Sequence, residues 1–161
     1  MICPACGFDN IAGEDECERC GTPLTGSERL SPQTRFEARL SGLASHSPLM
    51  VPRDTPISEA VASMREEGVD AILVVDRGRL VGIFTERDAL LKVAGRRPVG
   101  LTVGDVMTRD PVVLREDDTV AVAINKMAFG GFRHIPLVEH GRPTGIVTAQ
   151  DVFHRISTIV G

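Results

Sequence analysis

The chain has 161 residues, a 42% apolar share and a formal net charge of −4, enough for one packed domain and a small appendage. Six Phe with no Tyr or Trp leave it short of the rings on which single-stranded nucleic acid stacks. No apolar run approaches the ~20 residues that span a bilayer. The opening MICPACG lacks the basic stretch and apolar core of a secretory signal, so a cytoplasmic protein without membrane contact is expected.

Residues 1–24 carry all four cysteines, as Cys3-Pro-Ala-Cys6 and Cys17-Glu-Arg-Cys20, each pair followed by glycine. A CxxC turn presents two thiolates on one side, and two facing turns build a tetrahedral S4 site for Zn²⁺. A reducing compartment favours metal ligation over disulfides. A segment of ~24 residues buries too little surface to fold alone, whereas zinc binding contributes on the order of 10–16 kcal/mol at neutral pH. Two symmetric pairs without a βαβ context argue against a redox role.

The segment resembles the short zinc ribbons at the ends of many prokaryotic proteins, some of which touch nucleic acid. Its loop departs from that use. Five acids stand against Arg19 alone, so the whole net charge of −4 lies here, and thiolate ligation adds to it. Phosphate backbones would be repelled. A bare folding staple or a protein contact remains, while a zinc-ribbon nucleic-acid-binding or transcription-related regulator, with Arg96-Arg97 as a basic spot, is the alternative.

Residues 25–46 form a linker rich in Ser, Gly, Pro and charge. Ser31-Pro32 can cap and start a short helix with Phe36, Leu40 and Leu43 along one face, which is expected to dock on the main domain.

From there the chain repeats itself. A shift of 63 residues superposes Pro48 on Pro111, Asp54 on Asp117, Ala60 on Ala123, Met64 on Met127, Gly68 on Gly131, Gly78 on Gly141, Gly82 on Gly145, Thr85 on Thr148 and Asp88 on Asp151 without a gap. The repeats are placed at 47–107 and 108–161. Each opens with an extended stretch (Leu49–Val51; Val112–Leu114) and a helix starting at Thr55-Pro56 or Asp118-Thr119. Ile57, Ala60, Val61 and Met64 share one face of the first helix, and Val120, Ala123, Ile124 and Met127 share one face of its counterpart. Gly68 and Gly131 stop them. Two hairpin strands follow, 71–75 with 80–84 and 135–138 with 144–147. Thr85 or Thr148 then opens a last helix, with Thr-x-x-Asp as a capping box. The fold class is α/β (α+β), each repeat β-α-β-β-α.

That order and the endings Gly82-Ile-Phe-Thr85-Glu-Arg-Asp88 and Gly145-Ile-Val-Thr148-Ala-Gln-Asp151 resemble the CBS domain as a tandem pair (a Bateman module) in pseudo-twofold arrangement. Asp105-Val-Met107-Thr and Phe132-Arg-His-Ile-Pro136 carry the same resemblance. It implies adenosine-type ligands in crossed clefts: the Asp accepts the ribose hydroxyls, the Thr lies near phosphate, and adenine slips between strands. A helix N-terminus suits phosphate as well.

Carried over, the main cleft joins Thr85 and Asp88 to Pro111, Val112, Val113, Arg133, His134 and Pro136. Arg133 and His134 face the phosphates. The second cleft joins Thr148 and Asp151 to Leu49–Val51, Asp70 and Ala71. Asp70 there replaces Arg133, and unit charges ~5 Å apart interact by about 3 kcal/mol at an effective dielectric near 20. One phosphate-competent cleft is expected, with the second weaker, empty, or suited to a nucleoside or a cation such as S-adenosylmethionine.

Catalysis is not expected. The cysteines are spent on one closed site, the histidines are scattered, and neither HExxH nor GxSxG occurs. The reading is a regulatory sensor binding AMP, ADP, ATP or S-adenosylmethionine, forming a homodimer and signalling to a protein partner of unknown identity.

Overall fold

The computed structural model describes residues 9, 18, 19, 37–43 and 47–160. Cys3, Cys6, Cys17 and Cys20, and with them the zinc site, lie outside the described residues, as does the helix start at Ser31-Pro32. The chain divides into two compact units, Met1–Arg35 and Phe36–Gly161, and the architecture below is that of the second.

Its first repeat runs β1 (Met50–Pro52), α1 (Ile57–Glu67), β2 (Ala71–Asp76), β3 (Arg79–Thr85) and α2 (Glu86–Asp88), which continues as a π turn over Ala89–Val93. α3 (Val103–Val106) and β4 (Thr108–Arg109) lead into α4 (Val120–Gly130), β5 (His134–Glu139), β6 (Arg142–Thr148) and α5 (Ala149–Val160). One sheet has the order β1-β2-β3-β4, with β1 parallel to β2 and the other pairs antiparallel. The other is the β5–β6 hairpin.

Local chemistry accounts for the helix ends. Pro56 sits at the N-cap of α1 with extended backbone, where the missing N–H costs nothing. Gly68 and Gly131 end α1 and α4 at φ 65° and 68°, a left-handed conformation that a Cβ would penalise. The buried faces are Ile57, Ala60 and Met64 on α1 and Val120 and Ala123 on α4. Val61, expected on the inner face, is 40% exposed, because it lies at the margin of the apolar stripe.

The period of 63 extends upstream of residue 47, and the extension is exchanged between repeats. Leu40 N–H donates to Asp118 O at 2.9 Å, and its counterpart Val103 N–H donates to Thr55 O at 2.8 Å. Ser41 to Glu116 matches Gly104 to Arg53, and Val120 to Ala38 matches Ile57 to Leu101. Residues 38–43 thus pack on the second repeat, where Leu40 is fully buried with Leu114, Val120, Ile135 and Val147. Val103, Val106 and Met107 fill the core of the first repeat, with Ile57, Ile72, Val74 and Phe84. A third core of Ala71, Leu73 and Ile83 reaches Ile146 of β6 and joins the repeats.

The halves differ at one backbone bond. In the first, Leu73 N–H donates to Leu49 O at 2.9 Å, supporting the parallel β1–β2 pair. The equivalent donor in the second is Pro136, which has no N–H. The expected strand Val112–Leu114 is accordingly reduced to a single parallel bridge, Leu114 with Leu137.

Candidate binding cleft

Between the repeats lies a cleft of about 580 Å³, within the range that holds small ligands. One side comes from the β3–α2 junction. Thr85 is the N-cap of α2, and its Oγ1 accepts from Asp88 N–H at 3.3 Å. Asp88 Oδ2 accepts in return from Thr85 N–H at 3.0 Å and from Thr85 Oγ1 at 3.1 Å. This capping box holds the carboxylate in place, only 7% exposed, at the cleft wall.

The opposite side comes from the second repeat: Pro111, Val112, Phe132, Arg133 and His134. The cleft therefore brings together six of the eight residues expected in it, Thr85, Asp88, Pro111, Val112, Arg133 and His134. Val113 and Pro136 lie outside its lining. Pro136 is buried inside β5.

Asp70 corrects the expected division of labour. It lines this same cleft, and His134 Nε2 sits 2.9 Å from its Oδ1. Asp70 immediately precedes β2 and His134 begins β5, and pseudo-twofold packing places those strand starts side by side. The lining therefore carries Asp70, Glu86, Asp88 and Asp110 against Arg87, Lys92, Arg133 and His134. The expected clean cationic end is a mixed one, with Asp70 already facing the histidine.

Thr148 and Asp151 repeat the capping box, with Thr148 N–H and Oγ1 both 2.8 Å from Asp151 Oδ2. Asp70, however, faces the first cleft, and Ala71 is buried in the core that joins the repeats.

Thr108, Asp110 and Lys92 are among the contributors to the first cleft that the sequence did not assign to it. Thr108 Oγ1 donates to Asp88 Oδ1 at 3.1 Å, from the β4 strand paired with β3. Asp110 holds φ at 45° beside Pro111. Lys92 Nζ lies 2.7 Å from Asp88 Oδ1, and this i,i+4 acid–lysine spacing was a usable signal. Below the cleft, Asp105 accepts from Thr102 N–H and Oγ1, both at 2.9 Å. The Thr102 backbone bond, then its hydroxyl, holds the Asp105 carboxyl below the usual aspartate range. Among the described residues no group of three or more His, Cys, Asp or Glu could hold a metal ion, and no helix is long and apolar enough to cross a membrane.

Comparison with known proteins places this geometry. The family model described as the CBS domain matches residues 40–95 and 103–158, its first stretch beginning at the buried Leu40. An uncharacterised 17.7 kDa protein of Acidianus ambivalens is 34% identical over 116 residues, covering 71% of this chain and 70% of its own. CBSCBSPB3 of Arabidopsis thaliana, a CBS domain-containing protein, is 38% identical over 96 residues, but the match spans 58% of this chain and 17% of that much longer relative. Among solved structures, the CBS-domain containing protein ATU1752 from Agrobacterium tumefaciens superposes with a TM-score of 0.68 at 30% identity, covering 75% of this chain and 95% of that one. The CBS domain pair of protein MJ0100, in complex with 5'-methylthioadenosine and S-adenosyl-L-methionine, superposes at 0.67 with 26% identity, covering 75% and 97%.

Proposed function

The chain belongs to the CBS-domain family and is a CBS-domain regulatory protein, and from that premise we propose that it senses an adenosine-type ligand in the cleft between its repeats. One observation carries the proposal. The buried Asp88, held by the Thr85 cap of one repeat, shares a single cleft with Arg133 and His134 of the other. A carboxylate suits a sugar diol, a guanidinium fork suits phosphate oxygens, and the apolar Pro111–Val112 edge suits a base. The 5'-methylthioadenosine and S-adenosyl-L-methionine bound to the MJ0100 pair are adenosine compounds, which supports the ligand class.

The two clefts are inequivalent in this reading, and the backbone supports it more firmly than the charges do. Leu49 O, in the segment expected to line the second cleft, already accepts from Leu73 N–H. Val112 faces a proline and can offer its carbonyl to a base. The first cleft is the principal site for AMP, ADP or ATP, and the second is weaker. Ligand in the first cleft bridges both repeats and alters the face shown to a protein partner. A ligand at 100 times its Kd stabilises the fold by about 2.7 kcal/mol, enough to tilt a modest conformational equilibrium. The rest of the reading is a cytoplasmic, non-catalytic homodimer whose N-terminal ribbon holds one structural Zn²⁺ through Cys3, Cys6, Cys17 and Cys20.

The test is calorimetric titration of AMP, ADP and ATP into wild type, Asp88→Ala and Asp151→Ala. Loss confined to Asp88→Ala is expected. Equal loss in both variants, or loss only in Asp151→Ala, refutes the inequivalence.

A further inference from the structure

We infer that Lys92 is an internal latch that holds the diol position of the first cleft and so sets its affinity for nucleosides; this inference rests on the reading of Asp88 as the diol acceptor. A carboxylate offers about four lone-pair sites, and those of Asp88 are all engaged. Oδ2 receives Thr85 N–H at 3.0 Å and Thr85 Oγ1 at 3.1 Å. Oδ1 receives Lys92 Nζ at 2.7 Å and Thr108 Oγ1 at 3.1 Å. A ribose diol reaching Asp88 must take the Oδ1 positions, because Oδ2 closes the capping box that starts α2.

The latch is held from behind. Lys92 Nζ also donates to Val106 O at 2.9 Å and approaches Thr108 Oγ1 at 3.5 Å. Both acceptors belong to the strap 103–109 that packs on the first repeat. When a sugar displaces it, the ammonium keeps these partners and reaches water, since its side chain is 38% exposed. Release is therefore incomplete rather than prohibitive. The π turn over Ala89–Val93 carries the lysine, whereas the equivalent stretch of the second repeat lies in the continuous helix α5. There the residue 63 positions on is Arg155, whose buried Nε has no hydrogen-bond partner among the described residues. The latch is a property of the first cleft alone.

The experiment titrates adenosine, a neutral probe, into the full-length protein at low and high NaCl. Wild type, Lys92→Met and Asp88→Ala are compared, with folding followed by circular dichroism. The methionine keeps the stem and removes the competing cation. Lys92→Met should bind adenosine about fivefold more tightly, the size of a partly exposed ion pair. Wild-type affinity should rise with salt as the Lys92–Asp88 attraction is screened, and that of Lys92→Met should not. The salt series on wild type decides the matter if the variant folds poorly. Adenosine binding that is lost in Asp88→Ala, yet is unchanged or weaker in Lys92→Met and flat with salt in wild type, overturns the latch and leaves the nucleoside site standing. No adenosine or AMP binding by wild type or Lys92→Met overturns the site itself, and the latch with it.

Discussion

Replacing Leu40 by alanine tests whether residues 38–43 are a working part of the second repeat or only the end of a tether. The Leu40 side chain is fully buried among Leu114, Val120, Ile135 and Leu137. The backbone bonds Leu40 to Asp118, Ser41 to Glu116 and Val120 to Ala38 would survive the change, so the loss isolates side-chain packing. A fully buried Leu→Ala costs about 2–5 kcal/mol, the transfer of the lost methyls plus the cavity left behind. With a value near 3 kcal/mol, the midpoint of thermal unfolding should fall by roughly 10 °C. That is a large part of the ~5–15 kcal/mol that holds a domain together. Without Tyr or Trp, urea unfolding is best followed by far-ultraviolet circular dichroism. Val103→Ala, at the pseudo-equivalent buried position on the first repeat, should lose about 2 kcal/mol. Exposed Arg39→Ala should stay within about 0.5 kcal/mol of wild type. A Leu40→Ala protein as stable as Arg39→Ala would show that the segment does not dock, and the exchange of lead-ins would fall.

Three further outcomes are expected. Pro136→Ala supplies an N–H opposite Val112, so the second repeat should gain the bond that Leu73 makes to Leu49. Amide exchange at position 136 should be slow, and AMP binding should weaken as the Val112 carbonyl is taken. Asp105 is held below the ordinary aspartate range by its Thr102 bonds, so its folded state favours the charged form. The stabilisation is complete above the unfolded value and is lost as pH falls through the lowered folded value. Asp105→Asn should therefore flatten the acid limb of a urea-midpoint series and leave its shape near neutrality unchanged. Native mass spectrometry should find one Zn²⁺ per chain, and Cys17→Ser with Cys20→Ser should abolish it; metal-free wild type under the same conditions would remove the ribbon from the account.

The repeat was legible because its marks are short-range. Gly68 and Gly131 terminate helices through their own backbone conformation, and Thr85–Asp88 and Thr148–Asp151 close capping boxes across four residues. The strand limits shifted by a residue or two at each end, as between the expected 135–138 and the observed His134–Glu139. Thr85, Asp88, Arg133 and His134 could be assigned to one cleft because the family resemblance supplied the crossing of the repeats. Asp70 could not be assigned from its own neighbourhood. Its place depends on which strand start lies beside it in space, and nothing in residues 65–75 encodes that.

The amino-acid order alone thus determined two repeats that share a helix followed by a hairpin, their helix stops and the two capped carboxylates, since each depends on residues only a few positions apart. The tertiary structure alone decided three other matters. Leu40 belongs to the far repeat, Asp70 faces His134, and Lys92 and Thr108 converge on Asp88. These are meetings between segments separated by 16 to 80 residues, or between side chains aimed by a π turn, and packing of the whole molecule settles them. Pro136 stands between the two classes: its missing N–H is written in the chain, but the carbonyl left without that donor is known only once the strands are paired.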